Sequence, residues 1–112
     1  MAYDEGLAQR IEEALVEQPG LVAKKMFGGI GFMIHGNMAV GVHKDSMIIR
    51  VGPDNYEELL AEPFARVFDI TGRAMRGWIL VAAQGLDSEE SLDFWTQKGV
   101  DFASSLPKKS KM

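Results

Sequence analysis

Residues 25–38, KMFGGIGFMIHGNM, set three glycines inside an apolar run and a fourth just after it. That stretch limits the possible folds. A phosphate-cradling loop needs its glycines between the end of a strand and the start of a helix, where free backbone N–H groups point at the anion. Here Gly28, Gly29 and Gly31 lead into Phe-Met-Ile, a tight turn and another apolar run, and no Gly-Lys-Ser/Thr follows. Glycine inside a strand instead marks a bulge, a bend or a close backbone approach. The reading is a β-hairpin in which Gly31 and Gly41 leave a shallow groove on one sheet face for a helix or a second subunit.

Three strands are expected here. The first covers about 27–34 and joins the second, 38–42, through His35-Gly36-Asn37; the third covers 47–51, after Lys44-Asp45-Ser46. Period-two alternation puts Met38, Val40 and Val42 on one face and Ala39, Gly41 and His43 on the other. Before them, Tyr3, Leu7, Ile11 and Leu15 recur every four residues between charged positions. That spacing predicts an amphipathic helix, capped by Asp4 and ended by Gln18-Pro19-Gly20. Asp54 and Glu57 have capping-box spacing for a short helix to Leu60, stopped by Pro63. Residues 64–70 and 78–83 read as strands, separated by a 71–77 loop, TGRAMRG. Asp87 and Glu90 again have capping-box spacing. The apolar positions Leu92, Trp95, Gly99, Phe102, Ala103 and Leu106 then predict a helix over 88–105.

The expected architecture is a two-layer α+β domain in the order α-β-β-β-α-β-β-α. Its antiparallel sheet is a three-stranded meander plus two strands, with helices on one side. Residues 1–106 form a single domain and 107–112 a basic flexible tail. A chain of 112 residues can bury one core of its own.

Composition narrows the function. The formal charge is −4, which argues against tight, direct DNA binding, since non-specific affinity rests on several Lys or Arg contacts to phosphate. The absence of cysteine excludes disulfides, thiolate metal sites and a Cys nucleophile. The acidic, amphipathic N-terminus does not read as a signal peptide, and no apolar stretch has the length of a membrane span, so the expected location is the cytoplasm, with no membrane partner.

Residues 25–38 resemble the Met-Phe-Gly-Gly hairpin signature of the TfoX N-terminal domain family. Residues 71–81, TGRAMRGWILV, resemble that family's second signature, a Gly-x-x-Met segment leading into a strand. The family is similar to regulators of natural DNA competence. Its full-length members add a C-terminal helical domain and act as co-activators beside a cyclic-AMP-responsive transcription factor. This chain reads as the first domain alone. The resemblance implies the fold and a process connected with transcription regulation, and brings no catalytic group.

No residue constellation suggests an enzyme, a cofactor or a resident metal. His35 and His43 fall at opposite ends of one strand, and only Asp45 stands near as a further ligand. Ser46, His43 and Asp45 mimic a triad in composition, but neighbours in a hairpin turn splay to different faces. The basic residues Lys24, Lys25, Arg50, Arg73 and Arg76 could together hold an anionic ligand if loop and sheet edge converge. Met26, Met33, Met38, Met47 and Met75 cluster in the two signature regions, where methionine serves either a core or an adaptable binding surface. The candidate interaction or anion-binding residues are therefore Lys25, Met26, Phe27, Gly28, Gly29, Arg50, Arg73, Met75 and Arg76. The expected function is a non-enzymatic domain that binds a protein partner, a regulator or a second copy as a homodimer. The alternative is a sensor of a small anion.

Overall fold

The computed structural model describes residues 3–26, 28–69 and 72–107. Helix α1 spans Glu5–Ala14. The Asp4 carboxylate accepts a hydrogen bond from the Leu7 N–H at 3.0 Å, satisfying one of the donors a helix start leaves open. Leu7, Ala8, Ile11 and Leu15 are buried, as their spacing predicts. Each large side chain among them contributes roughly 2 kcal/mol of apolar burial before ordering entropy is charged against it.

Among the described residues six strands follow: β1 Leu21–Met26, β2 Gly29–Ile34, β3 Asn37–His43, β4 Ser46–Arg50, β5 Ala65–Val67 and β6 Trp78–Val81. They form one antiparallel sheet in the order β1-β2-β3-β4-β6-β5. Helix α2, Tyr56–Leu60, lies between β4 and β5. A 3-10 turn, Ala83–Leu86, and helix α3, Glu89–Ser105, follow β6. The main core lies between the sheet and α1 and α3, and includes Ile11, Phe32, Val40, Val42, Met47, Ile49, Ile79, Leu92 and Trp95.

The α+β class and the antiparallel sheet stand; several details are corrected. The sheet has six strands because β1 precedes the expected first strand. Lys24 and Lys25 sit within β1, not before the sheet. The first expected strand begins only at Gly29; its proposed start, Phe27, lies outside the described residues, as do Ile70, Thr71 and the 108–112 part of the expected tail. Strand 64–70 shrinks to β5, and 78–83 ends at Val81. The two capping boxes do not form. Asn55 caps α2 without a side-chain bond, and α3 is capped by Ser88, whose Oγ accepts from the Ser91 N–H at 3.0 Å. The central residues of the β2–β3 turn are His35 and Gly36, with φ of 50° and 87°. Positive φ at both positions matches the twist of a two-residue hairpin.

The alternation along β3 is broken. Phe32 pairs with Val40, but Met33 pairs with Met38, so Ala39 is an extra residue. This bulge turns Ala39 and Val40 together into the core and moves Met38 to the opposite face, away from Val40 and Val42.

Candidate functional site

Alternation in the other strands gives the sheet two unlike faces. One lies under the helices. The other carries Gly31 and Met33 of β2, Met38 and Gly41 of β3, Ile48 and Arg50 of β4, and Trp78 and Leu80 of β6. A second apolar cluster forms there. Met38, Ile48, Phe68 and Leu80 are buried, and Met26, Met33, Met75 and Trp78 are half-buried around them. None of these residues is helical. The cluster is roofed by side chains and by the segment after β5, where the Phe68 and Trp78 rings stack at 5.8 Å and 29°. The Met75 N–H donates to the Phe68 carbonyl at 3.1 Å, folding that segment back over the sheet.

The glycines explain how methionine comes to lie flat here. Gly31 and Gly41 are register partners. A Cβ on Gly41 would come within 2.7 Å of the Ile30 carbonyl oxygen and 2.8 Å of Met38 Cε. A Cβ on Gly31 would meet only the ends of Met26 and Met38, at 3.1 Å or more. The groove expected for a helix or a second subunit is therefore already filled by methionine tips. The glycine that admits a helix is Gly99 of α3, where a Cβ would overlap the Ala39 carbonyl oxygen at the bulge. The glycine run itself lies in the β1–β2 hairpin, with a strand and no helix after it.

The candidate residues divide between two places. Met26 and Met75 belong to the outer cluster, Gly29 is buried at the start of β2, and Gly28 and Lys25 are exposed at the hairpin. Phe27 lies outside the described residues. Arg50 is on β4, an interior strand and not a sheet edge. Its guanidinium carbon is 5.2 Å from the ring centres of both Trp78 and Phe102. Arg76 places Nη1 3.2 Å from a Glu57 carboxylate oxygen and its guanidinium 5.4 Å from the Tyr56 ring. Arg73 is exposed. Two of the three arginines are thus engaged with their own chain. Arg50→Ala should cost about 1–2 kcal/mol, from lost cation–π contact and lost packing of its stem. Arg76→Ala should cost less than about 1 kcal/mol, because its ion pair is solvent-exposed. Denaturant titration of the two variants checks that ordering.

The pseudo-triad is also corrected in detail. His43 and Ser46 are register partners on one face, not splayed apart, yet no side-chain hydrogen bond joins them. Ser46 Oγ accepts instead from Arg66 at 3.2 Å, and His43 Nδ1 is buried without a partner. Among the described residues no three His, Asp or Glu side chains gather at metal-binding range, and no helix is long and apolar enough to cross a membrane. Ile48, Phe68 and Leu80 are buried in this cluster and are not among the candidate residues, and Phe68 is the hardest to find. Reading 64–70 as one strand assigns it no special place, and its only signal is an aromatic just before the second signature.

The family model for the TfoX N-terminal domain matches residues 13–103. The chain belongs to the TfoX N-terminal domain family. Comparisons with curated proteins and with solved structures give no match. In this TfoX N-terminal domain the two signatures, far apart in sequence, meet on the outer face of the sheet. The first supplies Met26, Met33 and Met38; the second supplies Met75, Trp78 and Leu80.

Proposed function

We propose that this domain is a non-enzymatic interaction module of the cytoplasm that docks a protein partner on the outer face of its sheet, beside the 72–77 loop. The observation that carries the reading is the meeting of the two signatures in an apolar cluster with no helix in it. Half-buried methionine and tryptophan give such a face adaptable contact area. The family suggests the setting, transcription regulation connected with DNA competence. The net charge of −4 fits action through a protein partner, a regulator or a second copy, and not through direct contact with DNA. The anion-sensor alternative is weakened by the partners that Arg50 and Arg76 already have.

The test compares immobilised wild-type chain with Met33→Glu, which places a charge at the rim of the cluster, and with Glu12→Lys on the helical side. Wild type and Glu12→Lys should retain the same partner from a lysate of the native host, and Met33→Glu should lose it. Equal retention by all three would remove the outer face from consideration. Tight binding of duplex DNA to the pure protein at physiological salt would contradict the reading independently.

A further inference from the structure

A second surface lies on the helical side, away from the outer cluster. The connection from α2 to β5 and the start of α3 enclose a groove of about 380 Å³, at the small end of the range for ligand pockets. Phe64, Gly85, Phe94 and Trp95 line it, with Glu62 and Glu90. Two of the few large apolar side chains left in water are here: Phe64 is 53% exposed and Phe94 39%. The Phe94 ring stands edge-on to Trp95 at 5.1 Å and 84°.

Phe64 is held in an unusual way. Its φ is +69°, a left-handed conformation that bulky residues avoid. Its carbonyl accepts from the Ala82 N–H at 3.0 Å, which ties that backbone to the chain following β6. The strained residue lays one edge of its ring over Gly85 and leaves the rest in water. Backbone strain of this kind is retained where the surrounding structure enforces it, and it collects at binding positions.

The charge around the groove selects the occupant. Its lining carries two carboxylates, Glu62 and Glu90, and no basic residue. Among the described residues Glu62 and Glu90 form no ion pair, and the chain's own cation beside the groove, Lys98, places Nζ 5.1 Å from the centre of the Phe94 ring. An acidic rim repels nucleic acid and anionic lipid and attracts lysine and arginine. We propose that this groove receives a short basic segment of another protein. One aliphatic or aromatic side chain enters between Phe64 and Phe94, and a flanking Lys or Arg lies against Glu62 or Glu90. The small volume suits a single anchoring side chain with charged neighbours, the usual form of a compact hot spot.

The experiment pans a random-peptide display library against the full chain, then measures the enriched peptide by fluorescence anisotropy and amide chemical shifts. The expected peptides join Lys or Arg to Leu or an aromatic residue, and shift the amides of Phe64, Gly85, Phe94 and Trp95. Phe64→Asn, which tolerates a left-handed backbone, should weaken binding by about tenfold or more. The pair Glu62→Lys and Glu90→Lys should do the same without touching a buried residue. Circular dichroism establishes that each variant is folded, and if Phe64→Asn is not, the charge pair decides. An empty selection, an enrichment of acidic peptides, or peptides whose affinity ignores the charge reversal would overturn the proposal. Binding at Met33 and Trp78 instead would assign the peptide to the outer face and overturn it equally.

Discussion

Gly99→Ala is expected to lower the stability of the domain by about 3 kcal/mol, the upper part of the range for forcing extra volume into a packed site. The new methyl group would overlap the Ala39 carbonyl oxygen and come within 3.0 Å of the Ala39 carbonyl carbon. Both are backbone atoms, so no side-chain rotation relieves the contact. The helix must lift away from β3, and the contacts made by Leu92, Trp95, Val100 and Ala103 loosen together. Alanine is the better helix former by about 1 kcal/mol, and that gain does not offset the displacement. For a domain of this size the melting temperature should fall by roughly 10 °C or more. A thermal melt followed by circular dichroism measures it; an unchanged or raised midpoint would mean that α3 does not approach the sheet this closely.

Gly41→Val should have an effect of similar size, about 3 kcal/mol, on the other face. Its Cβ would meet the Ile30 carbonyl at 2.7 Å, again backbone, and the Met38 tip at 2.8 Å. Gly31→Ala is the control. Only flexible methionine ends stand in its way, so its cost should stay near or below about 1 kcal/mol. If the two substitutions cost the same, methionine tips do not fill the outer groove in the way described. Urea denaturation of both variants, with attention to the slope as well as the midpoint, distinguishes lost packing from a change in the unfolded chain.

Helix α1 could be read from the residues alone because burial on a single side leaves the Leu7–Ile11–Leu15 stripe. β3 and β4 are buried on both faces and were legible instead as short apolar runs set between turn residues. β1 escaped such reading because it is a sheet edge with little burial on either face, so its residues show no period. Lys24 and Lys25 suit that position, since charged side chains blunt an exposed edge against pairing with other chains. The face of Met38 could not be deduced, because the Ala39 bulge shifts the alternation by one residue and leaves no mark in a run of small apolar side chains. The candidate site was legible as two methionine-bearing segments. Their meeting was not, because it depends on β6 pairing with β4 across the intervening α2 and β5. Arg50 and Arg76 looked like one basic group in sequence. Folding places Arg50 between Trp78 and Phe102 and Arg76 against Glu57.

The claim that the helix-free face of the sheet is where a partner docks can be tested directly by photo-crosslinking in the native host. A benzophenone side chain is installed at Met33, on the rim of the outer cluster, or at Glu12, on exposed helix α1. A protein adduct of discrete mass should form from position 33 and not from position 12. An adduct from position 12 with none from position 33 would contradict the account.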